Sequence, residues 1–282
     1  MSQSANHRPP YLVDLHMHST CSDGQLPPEE LVKLASERNL RVISITDHDT
    51  IDALKIAKTH GQDLGIRVIP GVEISAYFDR EVHLLGYFFD PENQTLKSAL
   101  EKQKVARIER VREICNRLDR LGYVVYPDQI IENAGASVGR PHVAQALVEA
   151  GHVRNMDDAF RRFLRNGGPA YVPEWQIDFR AAVEVIHEAG GVASIAHPGP
   201  DKLTGKIKAL ADLGLDAVEI THPAHSPSVS GQLRSIARQL KLLVTGGSDL
   251  HAPGGHWQLG SGGITETELS DLELKANEYR RV

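Results

Sequence analysis

The nine residues Tyr11-Leu12-Val13-Asp14-Leu15-His16-Met17-His18-Ser19 decide how the chain is read. Their first half is a short apolar run of the kind that fills a buried strand, and their second half sets two imidazoles two residues apart. On an extended chain alternate side chains share a face, so His16 and His18 point to the same side and can grip one ion. A few residues on, Pro27-Pro28-Glu29-Glu30 puts proline and acid where a helix begins. A buried run, polar ligand-like side chains and then a helix form one unit, and that unit recurs along the chain.

Apolar runs at 11–15, 42–45, 68–69, 82–89, 192–196, 217–220 and 242–244 read as buried parallel strands. Helical patterns at 28–38, 51–64, 180–189, 207–213 and 230–240 lie between them, and Gly190-Gly191 suits the end of one. The alternation predicts a parallel α/β fold, and seven such strands suit a barrel. It stops between about 96 and 171, where a long helix over 97–121 precedes helical segments at 141–150 and 156–165. No buried strand is evident there. The expected organisation is a barrel of residues 11–96 and 172–282, with a helical insertion over 97–171 that returns through Gly167-Gly168-Pro169.

The residues at the strand ends point to chemistry. After the first strand come His16, His18 and Asp23; after the second, Asp47-His48-Asp49; the third leads to Glu73. The fourth carries His83, and the last three lead to His197, His222 and Ser248-Asp249-Leu250-His251. In a parallel barrel those ends converge on one face, where active sites are built. Any one of these residues could be a core histidine, a turn or a cap: Glu73 and Asp249 as helix N-caps, Asp47 and Asp49 as caps or supports. Independent filler would not fall at the same end of so many strands. Imidazole and carboxylate without thiolate suit zinc, manganese or iron, and the ligand supply exceeds one metal. Two close metals can polarise a phosphoryl group and generate hydroxide at neutral pH.

Composition bounds the alternatives. The 282 residues are 41% hydrophobic and 24% charged, as in ordinary globular proteins. No run approaches a membrane span, and the polar stretch 1–10 lacks an apolar signal-peptide core, so a cytoplasmic protein with no membrane partner is expected. A net charge of −6 argues against a whole-surface affinity for nucleic acid. Cys21 and Cys115 lack metal-site spacing. The 14 histidines outnumber the 7 Tyr and 6 Phe together, which matters because they fall at the strand ends.

The ordered set DLHMHS (14–19), Asp23-Gly24, TDHD (46–49), GVE (71–73), His83, AHP (196–198) and SDLH (248–251) resembles the PHP (polymerase and histidinol phosphatase) family over the barrel portion. The resemblance implies a distorted (β/α)7 barrel holding up to three metals. By motif, the first would lie between His16, His18, Glu73 and Asp249, and Glu73 would bridge to a second held also by His83 and His197. A third would take Asp23, His48 and His251. Aspartate at position 23 resembles the manganese-using branch, with zinc or iron as alternatives. GRPHVA (139–144), AFRRFL (159–164) and PAYVP (169–173) narrow the resemblance to the 3′,5′-nucleoside bisphosphate phosphatases, whose members include enzymes that trim short RNA from its 5′ end. The insertion would then cover the active site and bring arginines to substrate phosphate.

Residues 101–120 hold seven Lys or Arg against four acids. Most arginines from Arg107 to Arg120 read as a solvated helix surface. Arg140, before a proline at a helix start, and Arg162, sharing a helix face with Arg165, read as groups that bind substrate phosphate, with His142 as a further substrate-binding candidate. The expected reaction is hydrolysis of the 3′-phosphate of a nucleoside bisphosphate, or of short 5′-phosphorylated RNA, by a metal-bridging hydroxide. Glu73 and Asp249 are its central residues, and His222 a proton-transfer candidate. A phosphatase for another small ester such as histidinol phosphate is the enzymatic rival, and a metal-stabilised scaffold the non-catalytic one. Aromatic content of 5% tilts away from a long single-strand channel, with Tyr77, Tyr87, Tyr171, Trp175 and Trp257 left for one or two bases.

Overall fold

A computed structural model describes residues 11–173, 175–254 and 257–281; the polar stretch 1–10 lies outside the described residues. In chain order come β1 (Val13–Asp14), α1 (Pro28–Glu37), β2 (Val42–Ile43), α2 (Ala53–Leu64), β3 (Arg67–Val68), β4 (Gly71–Tyr77) and β5 (Glu81–Tyr87). Next are α3 (Gln94–Arg120), α4 (Pro127–Asn133), α5 (Arg140–Glu149), α6 (Met156–Ala159) and a π turn, Phe160–Leu164. The last part holds β6 (Ile177–Asp178), α7 (Phe179–Glu188), β7 (Val192–Ile195), α8 (Ile207–Ala211), β8 (Ala217–Thr221), α9 (Pro227–Leu240), β9 (Leu243–Gly246) and α10 (Glu266–Tyr279). Local chemistry sets the helix starts. Pro28 opens α1, Asp178 accepts from the Arg180 N–H before α7, and Thr265 and Glu268 form a reciprocal capping box before α10.

The strands form two sheets. β1, β2 and β3 pair in parallel, and a mixed sheet has the order β6-β4-β5-β7-β8-β9. This corrects the expectation of parallel strands throughout. β5 runs antiparallel to both β4 and β7. Only Phe78-Asp79-Arg80 separate β4 from β5, and three residues cannot make the crossover that a parallel pair needs. The reading that Glu73 follows the end of a strand at 68–69 is also corrected. Pro70 ends β3, and Gly71–Tyr77 is a seven-residue strand of its own, buried except for Tyr77.

Backbone bonds link the two sheets on either side. Leu15 N–H donates to the Gly246 carbonyl at 3.2 Å and Asp249 N–H to that of His16 at 2.7 Å; across the other side Glu73 N–H donates to Asp47 at 3.2 Å. One core lies between the mixed sheet and α3, α7 and α9, centred on Val72, Leu84, Phe179, Ile195 and Val218. A separate cluster, including Val111, Ile114, Leu118, Val143, Leu147 and Leu164, belongs to the segment from α3 to the π turn, all of it described and without a strand. α3 reaches both: Leu96 and Leu100 pack in the first, Val111, Ile114 and Leu118 in the second. Among the described residues no helix is long and apolar enough to cross a membrane.

Asp14, fully buried on β1, ties the first strand to the last loops. Its carboxylate accepts from the backbone N–H groups of Ser248 (2.9 Å), Gly260 (2.8 Å) and His16 (3.3 Å). Burial raises its pKa to about 6 against the opposing pull of those donors. Asp14→Ala would strand buried N–H groups, and we expect a loss of roughly 3 kcal/mol or more in urea unfolding. An unchanged midpoint would show that the clamp contributes nothing.

Candidate metal centre

Glu73 stands in the middle of the site, on β4 and 1% exposed. One oxygen, Oε2, lies 3.1 Å from His16 Nε2, 3.0 Å from His18 Nε2 and 3.6 Å from His48 Nδ1. The other, Oε1, lies 2.9 Å from His83 Nδ1 and 3.2 Å from His197 Nε2. Asp249 Oδ1 approaches His16 Nε2 at 3.3 Å and His18 Nε2 at 3.2 Å, and those two nitrogens are themselves 3.3 Å apart. On the outer side Asp23 lies 3.4 Å from His251 Nε2, 3.7 Å from His18 Nδ1 and 3.9 Å from His48 Nε2. All nine expected ligands therefore meet in one place. His83 belongs there because β5 is reversed: it sits at the start of its strand, which lies beside the finish of the parallel β7.

This donor set fits divalent cations. Nitrogens do not gather at 3.3 Å for each other's sake, but ligands about 2.1 Å from one ion lie roughly 3.0–3.4 Å apart along octahedral or tetrahedral edges. His18 Nδ1 and His48 Nδ1 are buried without a hydrogen-bond partner. Groups of donors within 4.8 Å of one another are His16/His18/Asp249, His48/Glu73/His83 and His18/Asp23/His48/His251. Electrostatics agree. Burial works against charge on His16 and His83, yet Glu219, Asp249 and Glu73 hold His16 well above the usual imidazole range, and Glu73 does the same for His83. His18 and His197 are raised to about 10, against burial, by Asp249 and Glu73 for the first and Asp201 and Glu73 for the second. Glu73 and Asp249 lie well below the carboxylate range in spite of burial, because imidazoles surround them. Carboxylates that retain protons on these rings would retain a metal cation in their place.

The ring orientations are fixed from behind. His16 Nδ1 lies 2.9 Å from Glu219 Oε1, His197 Nδ1 lies 2.8 Å from Asp201 Oδ2, and His251 Nδ1 lies 3.0 Å from the Asp249 carbonyl. With the proton on each Nδ1, the Nε2 lone pair faces the cluster. Glu219 also accepts from the His197 N–H at 2.7 Å and is fully buried. Sequence reading missed it; a lone acid in the apolar run AVEIT was its one signal. Asp47 accepts from Ser19 and Ser22 and shapes the loop after β1, while Asp249 (φ 49°) and His197 (φ 27°) occupy left-handed backbone rare for such residues.

Beside the cluster lies a cavity of about 190 Å³. Its lining includes Asp23, His48 and His83 from the cluster, together with Glu81, Arg107, Arg110, Arg140 and His142. Arg107 and Arg110 are 8% and 5% exposed, which corrects their reading as solvated surface. Arg107 pairs with Asp49 at 2.6 Å and donates to Ser75 Oγ; Arg110 donates to the Val172 carbonyl. Arg140 meets Glu81 at 3.4 Å and stacks near the Tyr171 ring. His142 accepts the Gly139 N–H at Nδ1, and burial lowers its pKa.

Three expected residues stand elsewhere or otherwise. Arg162 does not line the cavity; it donates to the His152 carbonyl and the Tyr123 hydroxyl and lies over Phe163. The π turn at 160–164 breaks the α-helical spacing that would have put it on one face with Arg165. His222, buried, accepts the Ala224 N–H at Nδ1, so its Nε2–H donates to Asp249 Oδ2 at 3.2 Å. Its proton is thereby engaged in holding the carboxylate. Tyr87 is fully buried with its hydroxyl on the Leu15 carbonyl, and so is not available to stack on a base.

Removing the support behind His16 should loosen the metal without touching it. For Glu219→Ala we expect metal affinity, by calorimetric titration, to fall about 10- to 100-fold. Unchanged affinity would refute the role of this bond.

The PHP domain pattern matches residues 14–168. A 5′-3′ exoribonuclease of Haemophilus influenzae is 37% identical over 253 residues, covering 88% of this chain and 92% of the relative. A 3′,5′-nucleoside bisphosphate phosphatase of Chromobacterium violaceum is 32% identical over 250 residues, covering 86% and 88%. A crystal structure from Bifidobacterium adolescentis, described as a metal-dependent phosphoesterase, superposes with a TM-score of 0.87 at 29% identity, covering 95% of this chain and 98% of that one. A donor cluster of this kind, on a chain with these relatives, has one consistent assignment: the protein is a metal-dependent phosphoesterase and belongs to the PHP domain family.

Proposed function

We propose that the enzyme removes the 3′-phosphate of 3′,5′-nucleoside bisphosphates and acts by the same chemistry on short 5′-phosphorylated RNA, from the 5′ end. The observation that carries this reading is the cavity's mixed lining, in which ligand residues Asp23, His48 and His83 share one space with Arg107, Arg110 and Arg140. A substrate with two phosphates matches these two sets of groups. The relatives named as bisphosphate phosphatase and 5′-3′ exoribonuclease support the choice of substrate.

In this reading two to three divalent metals, manganese by preference, would be held by His16, His18, Glu73 and Asp249; by Glu73, His83 and His197; and by Asp23, His48 and His251. When bound, they would supply a nucleophilic water at neutral pH and neutralise charge on the phosphoryl oxygens. The chain's own side chains do the rest. Arg110 and Arg140 hold the second phosphate, and planar guanidinium suits its oxygens. His222 keeps Asp249 oriented through its Nε2–H, while Glu219 and Asp201 fix the tautomers of His16 and His197. Water oxygen becomes bonded to phosphorus as the bond to the 3′-oxygen breaks; that oxygen takes a proton and leaves as the hydroxyl, with inorganic phosphate as co-product. We read residues 11–96 and 172–282 as one distorted barrel seamed by the links at Leu15–Gly246 and Asp47–Glu73, and 97–171 as its helical roof.

The test is phosphate release by manganese-loaded protein from 3′,5′-adenosine bisphosphate, AMP, histidinol phosphate and a 5′-phosphorylated trinucleotide. We expect metal-dependent turnover of the bisphosphate with AMP spared, and a KM raised about tenfold or more in Arg140→Ala with kcat less affected. Turnover of histidinol phosphate alone would replace the substrate; no turnover at all would reinstate a scaffold.

A further inference from the structure

The helical segment carries a second concavity, a groove of about 380 Å³ between α4 and α5. One wall is the α5 face made by His142, Gln145, Ala146 and Glu149, which recur at helical spacing. His142 lines this groove and the catalytic cavity alike, so the two spaces meet at a single side chain. From His142 to Glu149 the groove runs roughly 10 Å, at about 1.5 Å per helical residue.

We propose that this groove receives the base and sugar of an additional nucleoside, the part of a short RNA that extends beyond the nucleotide in the arginine-lined cavity. The proposal rests on the nucleotide reading above and deepens it. The division of charge supports it: three arginines line the cavity beside the acids Asp23 and Glu81, whereas among the described residues no Lys or Arg lines the groove and Glu149 is its only acid. Phosphate is drawn to the first and an uncharged group is left for the second. The amides of Gln129 and Asn133 can each donate and accept, as base edges require. Tyr126, at the opening of α4, is 64% exposed and offers a ring for stacking. A mononucleotide bisphosphate would place its phosphates in the cavity; a trinucleotide would reach the groove as well.

Equilibrium binding to the manganese-loaded full chain tests this, using AMP and a 5′-phosphorylated triadenylate whose internucleotide bridges are uncleavable methylene phosphonates. We expect the triadenylate to bind more tightly than AMP. Tyr126→Ala, and Ala146→Trp, which fills the groove, should each weaken the triadenylate about tenfold or more and leave AMP within about twofold. Equal affinity of the unaltered protein for both ligands, no binding of the triadenylate, or equal losses for both in the variants would overturn the groove. Selective weakening in a protein that releases no phosphate from any nucleotide would leave the groove standing and remove the hydrolytic reading instead.

Discussion

Everything in this molecule is arranged around a buried carboxylate closed off from solvent. Glu73 presents both oxygens to imidazoles, three on one side and two on the other, at separations from 2.9 to 3.6 Å. An uncompensated charge at such depth is costly, and so is a crowd of protonated rings. A divalent cation resolves both, since it satisfies the carboxylate and leaves each ring neutral. The fold serves this requirement: β1, β2, β5, β7 and β9 each bring donors to the cluster around the carboxylate that β4 carries, from positions up to 235 residues apart in sequence (His16 to His251).

The next layer explains why the rings stand as they do. A histidine has two nitrogens, and a ligand must be told which to offer. Glu219, Asp201 and the Asp249 carbonyl accept the Nδ1–H of His16, His197 and His251 respectively and leave the opposite nitrogen for the centre. Glu219 serves twice, since it also holds the backbone that carries His197. The arginines form a third layer. Arg107 is anchored by Asp49, the residue next to His48, so the long helix α3 is fastened to the loop that carries a ligand. The cavity wall and the donor cluster are thus parts of one bonded structure.

Much of this was legible in the sequence, for identifiable reasons. A strand leading to His or a carboxylate is a local pattern, and its recurrence, together with the motifs shared with the PHP family, singled out the nine residues that meet in the cluster. The direction of β5 was not legible from periodicity, because alternation reads the same in both senses; the three-residue link at 78–80 was the available signal. Glu219 looked like one acid in an apolar run, and its role exists only once His16 is folded against it. Arg107 and Arg110 were hidden by α3 itself, whose polar residues occur on all sides, so that which face is covered depends on its packing partners. Arg162 was misplaced because sequence spacing presumes an α-helix and the chain makes a wider π turn.

α3 is continuous through both hydrophobic cores, yet its middle, Gln103 to Arg110, is polar where it passes the site. It resembles a beam fixed at each end by oil and in the centre by hydrogen bonds to Asp49, Ser75 and Val172. For recombination between relatives this marks a natural crossover. An exchanged helical segment that retains this central stretch would keep its registration with the donor cluster, so new lining residues could be grafted onto it while the cluster itself is inherited intact.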